Sequence, residues 1–476
     1  MKRKLQPAWI FPITFKYRID GFRIGIVVLV FLGYNLDKQK PNAQTGQNIY
    51  MEGIMSKTSK YNLIVVGGGT SGILCALAAA RSGLKTAIIE KNTYLGGMAC
   101  GSGLTEMNAA GFQSKPLYRG IEQEIFDALI ASGHAEYHFA VPMSSNKDVK
   151  VDRLRYDPEM LKIIFEQKAV DAGIDLYYET ELERACEREA ECEVTVRTLY
   201  ETFTLHSDYL ADATGNANVI RALGGETIKT PEEQQLTATL MFRLSNVDMD
   251  KLKQYQESGK IPDLIREGFE QGILKGKILA FTPIPGSRDV SLNVTRAQGD
   301  YEDAGAYTRS IVDARKQILS VLAFVKEKVP GMEQAYVSNI APVMGVRDGR
   351  RAECSYTLKL EDLENMTDFA DSIACGCYPM DIHDPVTKSV IWKVLPGVYH
   401  IPYRSLVPKK LHRTLVLGKS LCAEKKVTAA IRVMPIMMNV GESAGYLFAL
   451  AQKDHSDLDT LKAEEIRACL SAHYGA

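Results

Sequence analysis

Tyr61-Asn62-Leu63-Ile64-Val65-Val66-Gly67-Gly68-Gly69-Thr70-Ser71-Gly72 is the stretch around which this chain is organised. An apolar run ends in Gly67-x-Gly69-x-x-Gly72, and an Ala-rich segment carries on to Ser82. A second apolar run, Thr86-Ala87-Ile88-Ile89, ends at Glu90. The pattern reads strand, glycine turn, helix, strand, acid. Gly67 permits the tight turn, Gly69 lets backbone approach a pyrophosphate, and Gly72 lets helix pack on strand. The helix start, with Thr70 and Ser71, offers free N–H groups and the positive end of the helix dipole to that pyrophosphate. Glu90 stands about 18 residues past Gly72, where an acid grips a ribose hydroxyl. Dinucleotide binding follows.

The loop after the acid indicates which dinucleotide. Lys91-Asn92-Thr93-Tyr94-Leu95-Gly96-Gly97-Met98-Ala99 is a small-residue connection where a nicotinamide dehydrogenase usually enters another crossover helix. Such a loop allows backbone to lie along the extended pyrophosphate and ribityl of FAD. Lys91, Gly97, Met98 and Ala99 therefore join the expected cofactor set. Two later segments return to it. Tyr209-Leu210-Ala211-Asp212-Ala213-Thr214-Gly215 reads as a strand entering a glycine turn, and Leu415-Val416-Leu417-Gly418 as another. Asn439-Val440-Gly441-Glu442-Ser443-Ala444-Gly445 reads as the start of an apolar helix whose N–H groups would stabilise negative charge on a reduced flavin. Gly441, Glu442 and Ala444 are accordingly expected at the cofactor.

The chain has 476 residues, enough for two or three domains. It is 46% hydrophobic and 24% charged with a net charge of −1, which offers no electrostatic attraction to nucleic acid. The 9 cysteines are scattered and show neither Cys-x-x-Cys spacing nor a quartet for an iron–sulfur centre, so no metal is expected. Reduced thiols suit a cytoplasmic protein. Cys375 and Cys377 read as small buried thiols in a turn. Lys2, Arg3 and Lys4 open a basic segment, and the apolar run over 24–34 is too short for a membrane span. Residues 1–59 are read as a leader or a mis-assigned upstream extension, since a start at Met55 would bring the dinucleotide strand to the N-terminus. The first part of an FAD-binding domain then covers 60–235, a substrate or cap domain 236–395, and the second part of the FAD domain with a terminal helix 396–476. Helical apolar spacing is found over 117–132, 156–172 and 307–325. No second dinucleotide fingerprint appears.

From about residue 61 onward the chain resembles the FAD-dependent oxidoreductases of the glutathione-reductase-like superfamily, and within them a family related to the flavoprotein subunit of heterodisulfide reductase. The likeness is carried by the glycine fingerprint, the loop over 95–99 and the turn over 212–215. It is also carried by Gly345-Val346-Arg347-Asp348-Gly349-Arg350-Arg351, Tyr378-Pro379-Met380-Asp381-Ile382-His383, the run over 401–408, Gly418-Lys419-Ser420 and Arg432-Val433-Met434-Pro435. The resemblance implies an α/β fold, a three-layer FAD-binding Rossmann-like domain with an inserted β-rich substrate domain. Iron–sulfur clusters of heterodisulfide reductase relatives are not carried over, because the cysteine quartet is missing.

Asp381 and His383 lie two apart, so on an extended segment they share a face. His383 would take the proton of a substrate hydroxyl and Asp381 would orient the imidazole. The forked guanidinium of Arg347 suits a substrate carboxylate or a cluster of sugar hydroxyls. Arg350 and Arg351 are alternatives, or partners of acids such as Glu361 and Asp362. Tyr378 and Tyr403 are candidates to hydrogen-bond substrate, and Arg404 and Arg432 to touch flavin or substrate. The expected function is hydride transfer between the CH–OH group of a small sugar or hydroxy acid and flavin N5. The rivals are fumarate-reductase-like C=C reduction and a flavin electron-transfer subunit working with a partner protein. The electron acceptor is left open, and no firm membrane partner is expected.

Overall fold

The computed structural model describes residues 60–143 and 146–475, together with the backbone of one N-terminal hairpin. That hairpin pairs strands Pro12–Ile19 and Phe22–Leu29 antiparallel. The reading of 1–59 as a leader otherwise lies outside the described residues. The chain divides into two compact units, 1–52 and 53–476, and every cofactor and catalytic candidate quoted above falls in the second.

The fingerprint strand Lys60–Val66 is central in a seven-stranded sheet. It pairs in parallel with Thr86–Ile89 on one side and with Thr202–Asp212 on the other. Asp175–Tyr177 and Thr414–Val416 extend the parallel part. The two faces of the strand are buried against different layers, as a period of two requires. Leu63 and Val65 join a core with the helices, among them Ile73, Leu77 and Leu447. Ile64 and Val66 join a second core with Val194, Val196 and Leu205 of the antiparallel meander Glu181–Glu187, Cys192–Arg197 and Thr202–Asp212. Helices, parallel sheet and meander are the three layers expected.

Two features were not legible in the apolar pattern. The first is a four-stranded antiparallel sheet built from Glu106–Phe112, Lys115–Pro116, Ala135–Met143 and Asn146–Tyr156. Its longest strand carries Arg153 and Arg155, which both bind Glu106, at 2.8 and 3.0 Å. An inward face that holds a charge cluster does not show clean alternation of apolar and polar residues. The second is the make-up of the substrate region. Strands Phe242–Ser245, Ala280–Pro283, Val290–Asn293 and Tyr336–Ile340 form one antiparallel sheet. It packs on helices Met249–Glu257, Ile261–Glu270 and Ala304–Lys328 around its own core of Phe242, Leu264, Leu292, Val321 and Phe324. The inserted region is thus a β-sheet backed by helices. From Leu358 onward the apolar residues pack again in the first core, earlier than the boundary placed at 396.

Candidate functional site

The glycine turn has the steric signature of its three roles. Gly67 has φ +104° and a side chain there would meet the Ala213 carbonyl oxygen at 2.4 Å. A Cβ on Gly72 would lie 2.0 Å from the Gly67 oxygen, so helix Thr70–Arg81 rests directly on the turn. A Cβ on Gly69 would have no atom within 4 Å. The helix it starts has no side-chain cap and no acid in its first turn. An anion beside Gly69 therefore finds open space and unopposed N–H groups.

The loop over 91–99 lies on this turn. Gly96 donates to the Gly68 oxygen at 2.7 Å, and a Cβ on Gly97 would stand 2.9 Å from the Gly69 Cα. Ala99 is fully buried and its carbonyl accepts from the Tyr156 hydroxyl at 2.8 Å, whereas Met98 is partly open and Lys91 exposed. Glu90 is buried; one carboxylate oxygen accepts from Gly68 N–H at 2.7 Å and the other from both nitrogens of Asn92. It shapes the loop directly and keeps lone pairs for a hydroxyl. Asp212 closes the third side. Its carboxylate accepts from Thr214 N–H and hydroxyl and from Ile220 N–H, and Ala213 donates to the Val66 oxygen. A Cβ on Gly418 would lie 3.3 Å from the Ser71 hydroxyl. Lys419, between Gly215 and Gly349, donates to the Asp348 carbonyl at 3.1 Å, and burial lowers its pKa to about 8.

One expected cofactor contact is corrected. The last long helix is Met434–Asp454, so its free N–H groups belong to residues near Met434 rather than to Asn439. Gly441 and Gly445 lie inside it, where a Cβ would stand 2.1 Å from the Ser71 oxygen and 2.3 Å from the Cys75 oxygen. They are contact points between this helix and the fingerprint helix. Ala444 is buried in the same packed core. Glu442 turns away and caps another helix, Ile121–Ala131, accepting from Ile121 N–H at 2.9 Å and Glu122 N–H at 3.0 Å. A small-residue run reads as a helix start facing the flavin because glycines serve close helix packing equally well. The helix extends beyond Gly441 toward Met434 by about 10 Å, at ~1.5 Å per residue.

That extension leads to the second half of the site. Arg432, just ahead of the helix, donates to the Asp381 carbonyl at 2.9 Å and lies 3.7 Å from its carboxylate. Asp381 and His383 share one face of strand Met380–His383, with His383 Nε2 at 3.1 Å from Asp381 Oδ1. The Tyr378 hydroxyl donates to Asp381 Oδ2 at 3.3 Å. Arg347 donates to the Thr237 carbonyl at 2.6 Å and the Thr239 hydroxyl at 3.0 Å. All four residues read as catalytic from the sequence thus fall in one cluster. Burial opposes ionisation of Asp381, but His383, Arg432 and Arg347 outweigh it and hold the carboxyl below its usual range. Burial, reinforced by Arg347, lowers His383 to about 3. The imidazole is therefore neutral at pH 7, and the tautomer with its proton on Nε2 would leave Nδ1 bare; Asp381 Oδ1, 3.1 Å from Nε2, is itself without a hydrogen bond among the described residues. Nδ1 is buried and has no hydrogen-bond partner.

Arg296 is the member the sequence reading missed. It donates to the same Thr239 hydroxyl at 2.9 Å and to the Thr295 carbonyl at 2.7 Å. Burial lowers it to about 9 and Arg347 to about 10. A lone arginine at the end of the alternating run over 289–294 carries no sequence signal of burial. Other candidates are placed elsewhere. Arg350 binds Glu302 in bidentate fashion through its Nε and Nη2, and Arg351 binds Thr230, so neither is paired with Glu361 or Asp362. Arg404 is bidentate to Asp371, and the Tyr403 hydroxyl is tied to the Leu458 carbonyl. Burial pushes the thiols of Cys375 and Cys377 up to about 12, the opposite of a reactive pair.

The sequence profile of the FAD dependent oxidoreductase family matches residues 62–470. The chain belongs to that family. FAD is the cofactor, and the open face at Gly69, the loop laid across it and the uncapped helix start leave room and free N–H groups for a pyrophosphate. A 43-residue stretch is 44% identical to mitochondrial glycerol-3-phosphate dehydrogenase of Rattus norvegicus, 9% of this chain and 6% of that protein. Among solved structures, a geranylgeranyl bacteriochlorophyll reductase-like protein of Thermoplasma acidophilum is similar over 87% of this chain and 84% of its own, at 14% identity and a TM-score of 0.48. A p-nitrophenol 4-monooxygenase of Pseudomonas putida is similar over 88% and 90%, at 10% identity and 0.45. This FAD-dependent oxidoreductase has, among its described residues, no helix long and apolar enough to cross a membrane.

Proposed function

We propose that this oxidoreductase acts on the CH–OH group of a small polar substrate, a sugar or a hydroxy acid. Bound FAD supplies the two-electron redox chemistry. The chain's own residues handle the proton and the charge. His383 Nδ1 accepts the hydroxyl proton as the carbon is oxidised and returns it in the reverse direction. Asp381 fixes the tautomer that leaves Nδ1 bare and stabilises the imidazolium that forms. Arg347 holds a polar substituent of the substrate, and Tyr378 and Arg432 keep Asp381 in place. The observation that carries this reading is the buried Nδ1 without a partner. An unmatched acceptor in the interior costs about 1–3 kcal/mol, and a substrate O–H removes that cost.

Reduction of an activated C=C bond, as in fumarate-reductase-like flavoproteins, is the second reading, favoured by the arginines beside His383. A cytoplasmic location, kinship with the heterodisulfide reductase subunit and an electron acceptor outside this chain belong to the same proposal. The test is an anaerobic titration with sugars, hydroxy acids and dicarboxylates, following loss of the oxidised flavin band at about 450 nm. Bleaching by one alcohol class supports the proposal. Reduction by dithionite and by a redox protein, with no response to any alcohol, overturns it in favour of an electron-transfer subunit.

A further inference from the structure

Arg296 and Arg347 are two cations with too few anions. Among the described residues neither has a carboxylate within hydrogen-bonding or ion-pair distance. Asp381, the acid of the cluster, faces His383, Arg432 and Tyr378 rather than either of these arginines. Arg296 is only 8% exposed, yet its Nη2 is buried with no partner at all. A buried guanidinium edge left empty is costly unless something occupies it. Arg296 also lines a cleft of about 500 Å³ that reaches the surface, shared with Thr237, whose carbonyl holds Arg347. The cleft carries Lys275, Arg309 and Lys388 against Glu232 and Asp313. Its charge attracts an anion inward and its inner end offers a planar fork.

We propose that Arg296 and Arg347 form a carboxylate-binding subsite, entered through this cleft, and that the substrate is a hydroxy carboxylate rather than a neutral sugar. The inference rests on the alcohol reading for its chemistry but on the arginines alone for its ligand. Thr239 Oγ1 accepts from both guanidinium groups and so sets them side by side. The substrate carboxylate meets Arg296 Nη2 and Arg347, while its hydroxyl faces His383 Nδ1. A guanidinium fork pairs with carboxylate and with phosphate alike, so the rest of the lining decides between them. Phosphate sites usually add backbone N–H groups at a helix start. The helix that lines the cleft, starting at Ala304, is already capped by Asp303, which accepts from Ala306 N–H at 2.7 Å.

The experiment is calorimetric titration of the FAD-loaded protein with 2-methoxypropionate and malonate, which carry no oxidisable alcohol, and with inorganic phosphate and glycerol. Each ligand is also scored by its shift in melting temperature. The carboxylates are expected to bind and to raise the melting temperature, with phosphate at least tenfold weaker and glycerol silent. Arg296→Gln is expected to weaken carboxylate binding at least tenfold without lowering the melting temperature of the ligand-free protein. Should that variant fail to fold, Arg296→Lys keeps the charge, loses the fork and is expected to bind at least fivefold more weakly. Phosphate preference, no carboxylate binding, or unchanged affinity in the variant overturns the subsite. Carboxylate binding with no bleaching by any hydroxy acid leaves the subsite standing and removes the alcohol reading. Bleaching by a neutral sugar with no carboxylate binding does the reverse.

Discussion

Alanine at Gly69 and alanine at Gly72 should fail in opposite ways, although the two positions are three residues apart. At Gly72 the new Cβ would lie 2.0 Å from the Gly67 oxygen and 3.0 Å from the Ala213 Cβ. The obstacle is backbone, so the helix must retreat by more than about 1 Å to reach ordinary contact. Such overpacking costs about 1–3 kcal/mol or more, while the helix-propensity gain of Gly→Ala is at most ~1 kcal/mol. The clash wins, and Gly72→Ala loses stability whether or not FAD is present. At Gly69 the Cβ has no atom within 4 Å, and φ −65°, ψ 178° suits any residue. The apoprotein of Gly69→Ala should keep its stability within ~0.5 kcal/mol. The same methyl occupies the space a pyrophosphate needs, so FAD affinity should fall at least ~10-fold, about 1.4 kcal/mol. Urea denaturation of the apoproteins and flavin fluorescence titration separate the two effects. A Gly69→Ala protein that binds FAD as tightly as the parent, or that unfolds more easily, would refute the assignment of this face to the cofactor.

Asp381→Asn removes the charge that sets the His383 tautomer, and kcat should drop by roughly 10²-fold with FAD content unchanged; steady-state kinetics on the substrate found by titration decides, and an unchanged kcat sinks the base assignment. His383 has its pKa lowered on folding from 6.5 to about 3, so between these values the unfolded chain binds more protons than the folded one. Stability should therefore fall as pH drops from about 6.5 toward 4, and His383→Gln should show a shallower slope in urea titrations across that window; equal slopes would remove His383 from the balance. Glu442→Gln exchanges one of two acceptor oxygens for a donor facing the Ile121 and Glu122 N–H groups. It should cost ~1–2 kcal/mol in urea unfolding and leave FAD affinity unaltered, whereas a loss of FAD affinity alone would restore Glu442 to the cofactor.

Local patterns were read well where backbone geometry alone makes the site. Gly67, Gly69 and Gly72 act through missing side chains, and Asp381 and His383 share a face because a strand has period two. Both effects depend on neighbours in sequence, so the order of residues shows them. Gly441 and Glu442 misled for the converse reason. A glycine needed for helix–helix contact has the same letter as one needed at a helix start, and only the position of Met434 as first helical residue separates the two. Arg404 and Arg296 were indistinguishable as letters, yet one finds Asp371 and the other finds no acid.

The sequence by itself determined the dinucleotide turn, the small-residue loop after Glu90 and the shared face of Asp381 and His383, because each is dictated by spacing along the chain, while the three-layer order came from the family resemblance. Only the tertiary structure brought Arg296, Thr239 and Arg347 from the inserted region to the neighbourhood of His383 and opened a basic cleft onto Arg296. It also decided which arginines were already neutralised. Charge compensation is a property of distance in space, and residues 57 positions apart, as Thr239 and Arg296 are, become neighbours only when the sheet between them folds.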